Sequence, residues 1–260
     1  MRPIGSSFVA APELLALLGE VAAAVRRALE ELADWGPAGT RPGQYRSDLV
    51  ADEAALAVLR GAGLGVLSEE SGIHDGDAPL LAVLDPLDGS TNASRGIPWY
   101  ATSCCVLDRD GPLAALVVNQ ATGTCYGATR GGGATRDGIA IAPSTRRELG
   151  CAVIGLSGYP ARYFGWRQFR ALGAVALDLC AVADGTLDGY VDCAEAAHGS
   201  WDYLAGVLIC EEAGAVVGDA HGRELVVREH GERRTPIAAG TPELYAALRA
   251  ARPAAGAEAG

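Results

Sequence analysis

Asp85-Pro86-Leu87-Asp88-Gly89-Ser90-Thr91-Asn92 follows directly on the apolar run 80–84. That run reads as a strand, and a strand end delivers side chains to one edge of a sheet, where a rigid scaffold can aim them. With Pro86 restraining the turn, Asp85 and Asp88 can face one centre while the Leu87 carbonyl offers a neutral oxygen. Gly89-Ser90-Thr91 reads as the first turn of a short helix, whose free backbone N–H groups suit a phosphate. Magnesium takes converging oxygen ligands and keeps waters and substrate phosphate oxygens in its shell. The segment therefore combines a candidate cation site with an anion cradle. The same residue types also make ordinary capped turns, so the segment alone leaves both readings open.

Upstream, the apolar run 64–67 leads into Ser68-Glu69-Glu70-Ser71, a second strand ending in a carboxylate. Hydroxyls at Ser90 and Thr91 could then hold an attacking water, with Glu69 accepting its proton. Paired divalent ions would lower the pKa of that water and neutralise the leaving oxygen, the two-ion logic of phosphate ester hydrolysis. An EF-hand reading fails because its third and twelfth positions hold Leu87 and Gly96. A nucleophile elbow at Gly155-Leu156-Ser157-Gly158 fails because Tyr159 occupies the second glycine position. Gly131-Gly132-Gly133 reads as a hairpin turn.

Further out, Leu14, Leu18, Val21, Val25, Leu29 and Leu32 predict an amphipathic helix over 12–34. The Pro- and Gly-rich stretch 36–43 reads as a mobile connection to a second helix near 52–60. Strands near 102–107, 113–118 and 125–128, with turn signals at Asp110-Gly111 and Asp137-Gly138, predict an antiparallel meander with helices on one side. After residue 144 the rhythm becomes strand 152–156, helix 173–184, strand 187–192, helix 202–213 and strand 215–217. We therefore expect an α+β half over 1–144 and an α/β half over 145–260, with a disordered Ala-rich tail after Pro253.

Composition bounds the function. A chain of 260 residues with 49% hydrophobic content can bury a full core, and a formal net charge of −11 disfavours nucleic acid or an acidic membrane as partner. The seven cysteines are an odd set without a C-x-x-C pair and read as reduced thiols of a cytoplasmic protein. Pro12, Glu13, Glu20, Arg26 and Arg27, within and flanking the apolar stretch 14–25, break any signal-peptide or membrane-spanning reading of it. His74, His221 and His230 lack metal-like spacing and read as surface residues.

Ser68-Glu69-Glu70-Ser71, Asp85 to Asn92, and Ser200-Trp201-Asp202 resemble, in order, the three signatures of the inositol monophosphatase family. The similarity continues through Gly131-Gly132-Gly133-Ala134-Thr135, Ala176-Leu177-Asp178-Leu179-Cys180 and Ala238-Ala239-Gly240-Thr241-Pro242. It implies a layered α-β-α-β-α sandwich of the inositol monophosphatase and fructose-1,6-bisphosphatase type, a homodimer, lithium inhibition, and two or three Mg2+ ions. One ion would be held by Glu69, Asp85 and the Leu87 carbonyl, and a second by Asp85, Asp88 and Asp202, with a third sharing Glu69. Asp202, by local reasoning, is only a helix-start aspartate near an N-cap Ser200. The resemblance also implies that Ser90 and Glu69 orient the water, that the Gly89 and Ser90 amides hold phosphate, and that Glu195 accepts hydrogen bonds from substrate hydroxyls.

Departures lie in the outer shell. Arg46-Ser47-Asp48-Leu49-Val50-Ala51-Asp52 stands where the family carries a Lys loop and D-x-V-T-x-x-D, so Arg46 is expected to replace the lysine charge and Asp52 to approach the third ion. Ala174, after Gly173, replaces a hydroxyl-bearing residue, and His198 is a candidate substrate contact. The leading expectation is hydrolysis of myo-inositol 1-phosphate or a related polyol or sugar phosphate. Histidinol phosphate, fructose 1,6-bisphosphate and adenosine 3′,5′-bisphosphate are alternatives, and a non-catalytic regulatory or binding protein is an alternative of another class.

Overall fold

The structure, a computed structural model, describes residues 11–252; the tail after Pro253 lies outside the described residues. The stripe of Leu14, Leu18, Val21, Val25 and Leu29 winds into helix α1 (Ala11–Glu30) and is buried throughout. Helix α2 (Arg46–Gly61) starts well before residue 52, because Asp48 accepts the Tyr45 N–H at 2.8 Å and caps the first turn. The connection between the two helices is closed on itself: the Ala38 N–H donates to the Gln44 carbonyl at 2.9 Å, and Arg46 to Gly36 at 3.0 Å.

The first sheet contains β1 (Gly65–Ser68), β2 (Gly72–His74), β3 (Leu81–Asp88), β4 (Ala101–Asp108), β5 (Gly111–Asn119), β6 (Cys125–Thr129), β7 (Gly133–Arg136) and β8 (Ile139–Ala140). Its order is β2-β1-β3-β4-β5-β6-β7-β8, with β1 and β3 parallel and the other neighbours antiparallel. Short helix α3 (Ser90–Ser94) follows β3. Alternate side chains supply two apolar faces. Ala82, Leu84, Cys104 and Val106 pack under α1 and α2, whereas Leu81, Val83, Cys105 and Leu107 face α4 (Val175–Ala183) and α5 (Ser200–Ala213). The meander is thus helix-covered on both faces, not on one as its sequence pattern predicted.

A second sheet, from β9 (Val153–Ser157), β10 (Gln168–Arg170), β11 (Gly189–Asp192), β12 (Val216–Asp219) and β13 (Pro236–Ala239), has the order β10-β9-β11-β13-β12. Its outer face packs Ile154, Val191 and Ile237 against Leu244 and Leu248 of α6 (Pro242–Ala251). Helix α4 lies between the sheets with every residue buried, which explains its nearly unbroken apolar sequence. The layers run α-β-α-β-α. Among the described residues no helix is long and apolar enough to cross a membrane, and all seven cysteines are free thiols.

Candidate active site

A regular strand would send Asp85 and Asp88, three positions apart, to opposite faces of the sheet. In β3 the register shifts between them: Asp85 opposes Ser103 and Asp88 opposes Ala101 of β4, so the strand carries one extra residue. Pro86 has no N–H for the ladder, and the Leu87 N–H turns to Asp85 Oδ1 at 2.9 Å. Leu87 consequently joins Leu84 in the core under α1 and α2, and Asp85 and Asp88 both line a cleft of about 490 Å3 on the other side. Two of the expected ligands therefore share a centre because of a bulge.

Glu69 reaches the cleft from the end of β1, where its N–H bonds the Leu84 carbonyl at 3.1 Å. Asp202 comes from α5; Gly199, not Ser200, is the N-cap, and Asp202 Oδ2 accepts the Gly199 N–H at 2.8 Å. Carboxylate oxygens of Glu69, Asp85 and Asp202 lie within 4.8 Å of one another. Asp88 Oδ2 accepts the Ala176 N–H at 2.7 Å and so ties the bulge to the first turn of α4. Gly89 adopts φ +85°, and a Cβ there would lie 3.0 Å from the Trp99 carbonyl and 3.1 Å from Ala174 Cβ. Only glycine fits that approach. Asn92 then locks the loop before α4, donating to the Trp99 and Leu172 carbonyls at 2.7 Å each.

Crowding acids out of water raises their proton affinity. Burial, then the Asp202, Glu70 and Asp88 carboxylates, push Glu69 up to about 8. Burial and Asp202 push Asp88 up to about 7, and burial with Glu69 lifts Asp85 well above the usual carboxylate range. Burial also takes Asp48 up to about 6, and its Oδ1 has no hydrogen-bond partner among the described residues. Hard oxygen donors that repel one another when empty fit a divalent cation. Burial alone would lower the His198 imidazole, but Asp202 and Asp192, each 3.4 Å away, overcome it and push His198 up to about 9.

Ser90, Gly173, Ala174 and His198 also line the cleft. Thr91 is exposed beside it, 3.3 Å from the Tyr45 hydroxyl. Three expected residues are elsewhere. Arg46 pairs with Asp34 outside the cleft, and Arg41 supplies the cation instead, bound to Glu70 at 2.5 Å. Asp52 is buried against the Ser68 hydroxyl, one helical turn behind Asp48, which does line the cleft. Glu195 lies outside the lining and is paired with Arg252 at 2.7 Å and His221 at 2.8 Å. His230, read as a surface residue, is in the cleft with its Nε2 3.1 Å from the Glu69 carbonyl, and Arg233 accompanies it.

Both the sequence and the fold have counterparts among known proteins. The sequence matches the inositol monophosphatase family over residues 47–256. The chain belongs to that family. Its fold is the family's layered sandwich, and membership makes it a phosphatase acting on a small phosphorylated substrate. It is 35% identical to a fructose-1,6-bisphosphatase/inositol-1-monophosphatase of Archaeoglobus fulgidus, over 91% of this chain and 96% of that protein. It is 33% identical to the Nus factor SuhB of Salmonella typhimurium, over 71% of this chain and 72% of that one. A solved Pyrococcus horikoshii protein described as similar to inositol-1 monophosphatase superposes with a TM-score of 0.81 at 26% identity, covering 94% of this chain and 98% of its own.

Proposed function

We propose that this inositol monophosphatase family member hydrolyses a small sugar or polyol phosphate monoester with Mg2+. The observation that carries the reading is the convergence of Glu69, Asp85 and Asp202 within 4.8 Å in a cleft that also holds Ser90. Glu69, Asp85, Asp88, Asp202 and the Leu87 carbonyl would hold the ions. When bound, such ions supply Lewis-acid activation of water and neutralise charge on the leaving oxygen. In this reading the Ser90 hydroxyl and the Glu69 carboxylate orient the attacking water, and Glu69 takes its proton. The Gly89 and Ser90 N–H groups bind the transferred phosphoryl oxygens, and Asp88 holds the first turn of α4 beside it.

Preference for myo-inositol 1-phosphate rested on Glu195 as acceptor of substrate hydroxyls, and that carboxylate is engaged by Arg252 and His221. The substrate preference must therefore come from other residues of the cleft. Similarity to a Nus factor favours a second reading, action through a partner; the complete carboxylate set favours catalysis. Phosphate release from a panel of sugar, inositol and nucleotide phosphates, with Mg2+ and with EDTA, tests the proposal. Release from at least one ester with Mg2+ alone is expected, and silence across the panel refutes it.

A further inference from the structure

Four basic side chains line the cleft among the described residues: Arg41, His198, His230 and Arg233. Arg41 is neutralised by Glu70 at 2.5 Å, and His198 lies between Asp192 and Asp202. Arg233 forms no ion pair among the described residues. Its guanidinium carbon sits 5.0 Å from the centroid of the Trp201 ring. The same ring packs on His230 at 4.7 Å, and His230 in turn approaches the Glu69 carbonyl. One nitrogen of Arg233, Nη1, donates to the His230 carbonyl at 2.7 Å and to the Glu232 carbonyl at 2.9 Å.

The guanidinium is thus held by a ring face and two carbonyls, while Nε and Nη2 have no partner among the described residues. That remaining edge is the one that binds a carboxylate or phosphate through two parallel hydrogen bonds. A preorganised, unpaired cation in a cleft otherwise crowded with acids points to an anion. The primary phosphate already has Gly89, Ser90 and the ions. The two contacts expected to hold the hydroxyls of a neutral polyol are missing here, since Ala174 has no hydroxyl and Glu195 is turned to Arg252.

We infer that Arg233 binds a second anionic group of the substrate, so that the cleft selects phosphate monoesters bearing another phosphate or a carboxylate over those ending in neutral hydroxyls. The inference rests on the phosphatase reading above. Two matched pairs test it with Mg2+: fructose 1,6-bisphosphate against fructose 1-phosphate, and glucuronate 1-phosphate against glucose 1-phosphate. In the wild type, kcat/KM should favour the member with a second anionic group in at least one pair by about tenfold or more, and the pair that responds distinguishes phosphate from carboxylate. Arg233→Gln should bring that ratio to within about threefold through KM, leaving the member without a second anionic group nearly unchanged, while Arg233→Lys keeps part of the preference. Wild-type ratios near one in both pairs overturn the inference, as does an equal loss on both members in Arg233→Gln. Should Arg233→Gln fail to fold, the wild-type ratios and Arg233→Lys still decide. Silence on all four esters is instead a failure of the phosphatase reading. Calorimetric binding of the same esters with Mg2+ then judges Arg233, and equal affinity within both pairs overturns its role.

Discussion

Replacing Asp85 by Asn should stabilise the metal-free protein while destroying its function. At a separation of 4.8 Å and an effective dielectric constant of about 20, two full charges repel by about 3.5 kcal/mol. Asp85 takes part in two of the three pairs formed with Glu69 and Asp202. Proton uptake limits the cost, because Glu69 is already pushed up to about 8 and is largely protonated at neutral pH without metal. A net gain of about 2–3 kcal/mol in EDTA at pH 7.5 is what remains, or roughly 4–12 °C in Tm for a chain of this length. Asn keeps the shape and can still accept the Leu87 N–H, so the bulge is preserved. Thermal unfolding in EDTA and in Mg2+, with phosphate release, reads both sides of the trade. The variant should melt higher than wild type in EDTA, gain little from Mg2+, and lose activity by about 10³-fold or more. A lower Tm in EDTA together with a wild-type response to Mg2+ would show that these carboxylates neither repel one another nor hold the ion.

The same electrostatics set a pH dependence. Glu69 at about 8 and Asp88 at about 7 are raised, so the folded metal-free protein holds protons that the unfolded chain has released. Its stability contribution from these groups is therefore lost as pH rises from about 4.5 through 8, and the Tm increment on adding Mg2+ should be larger at pH 8.5 than at pH 6. Asp219 has the opposite sign: burial alone would raise it, but the Arg223 fork and the Thr235 and His221 N–H groups hold it at about 2. Arg223→Ala should cost about 1–2 kcal/mol at pH 7, and urea midpoints should show the difference shrinking as pH falls below about 4 toward 2. Asn92→Ala strips the Trp99 and Leu172 carbonyls of their 2.7 Å partner. It should cost about 1–3 kcal/mol and raise KM more than it lowers kcat, as the Gly173-Ala174 wall loosens; a change in kcat alone would contradict that positioning role.

The residues legible in the sequence are those whose chemistry is packed into one segment at a strand end. Glu69, Asp85, Asp88 and Ser90 each follow an apolar run that had to become a strand, so their gathering at one edge was derivable. How Asp85 and Asp88 share a face was not, because the answer is an extra residue beside Pro86, and spacing alone assigns them to opposite faces. Asp202 is 114 positions beyond Asp88 by subtraction, and only the family resemblance joined it to the others. The outer shell was misread for a different reason. Arg41 and Arg46 are equivalent charges five residues apart, one in the loop and one at the start of α2, and with the bridge from Pro37 to Tyr45 between them one pairs with Glu70 and the other with Asp34. His230 and Arg233 belong to a stretch without helical or strand periodicity, and an isolated bridge from Arg234 to His198, 2.8 Å from N–H to carbonyl, brings it over the cleft. Motifs thus encode the carboxylate cluster through local strand ends, whereas the cleft's outer residues sit on segments whose placement depends on single long-range hydrogen bonds. Changing His230 or Arg233 should accordingly move substrate choice without unseating the carboxylates, because those are fixed by β1, β3 and α5 and not by the loop that covers them.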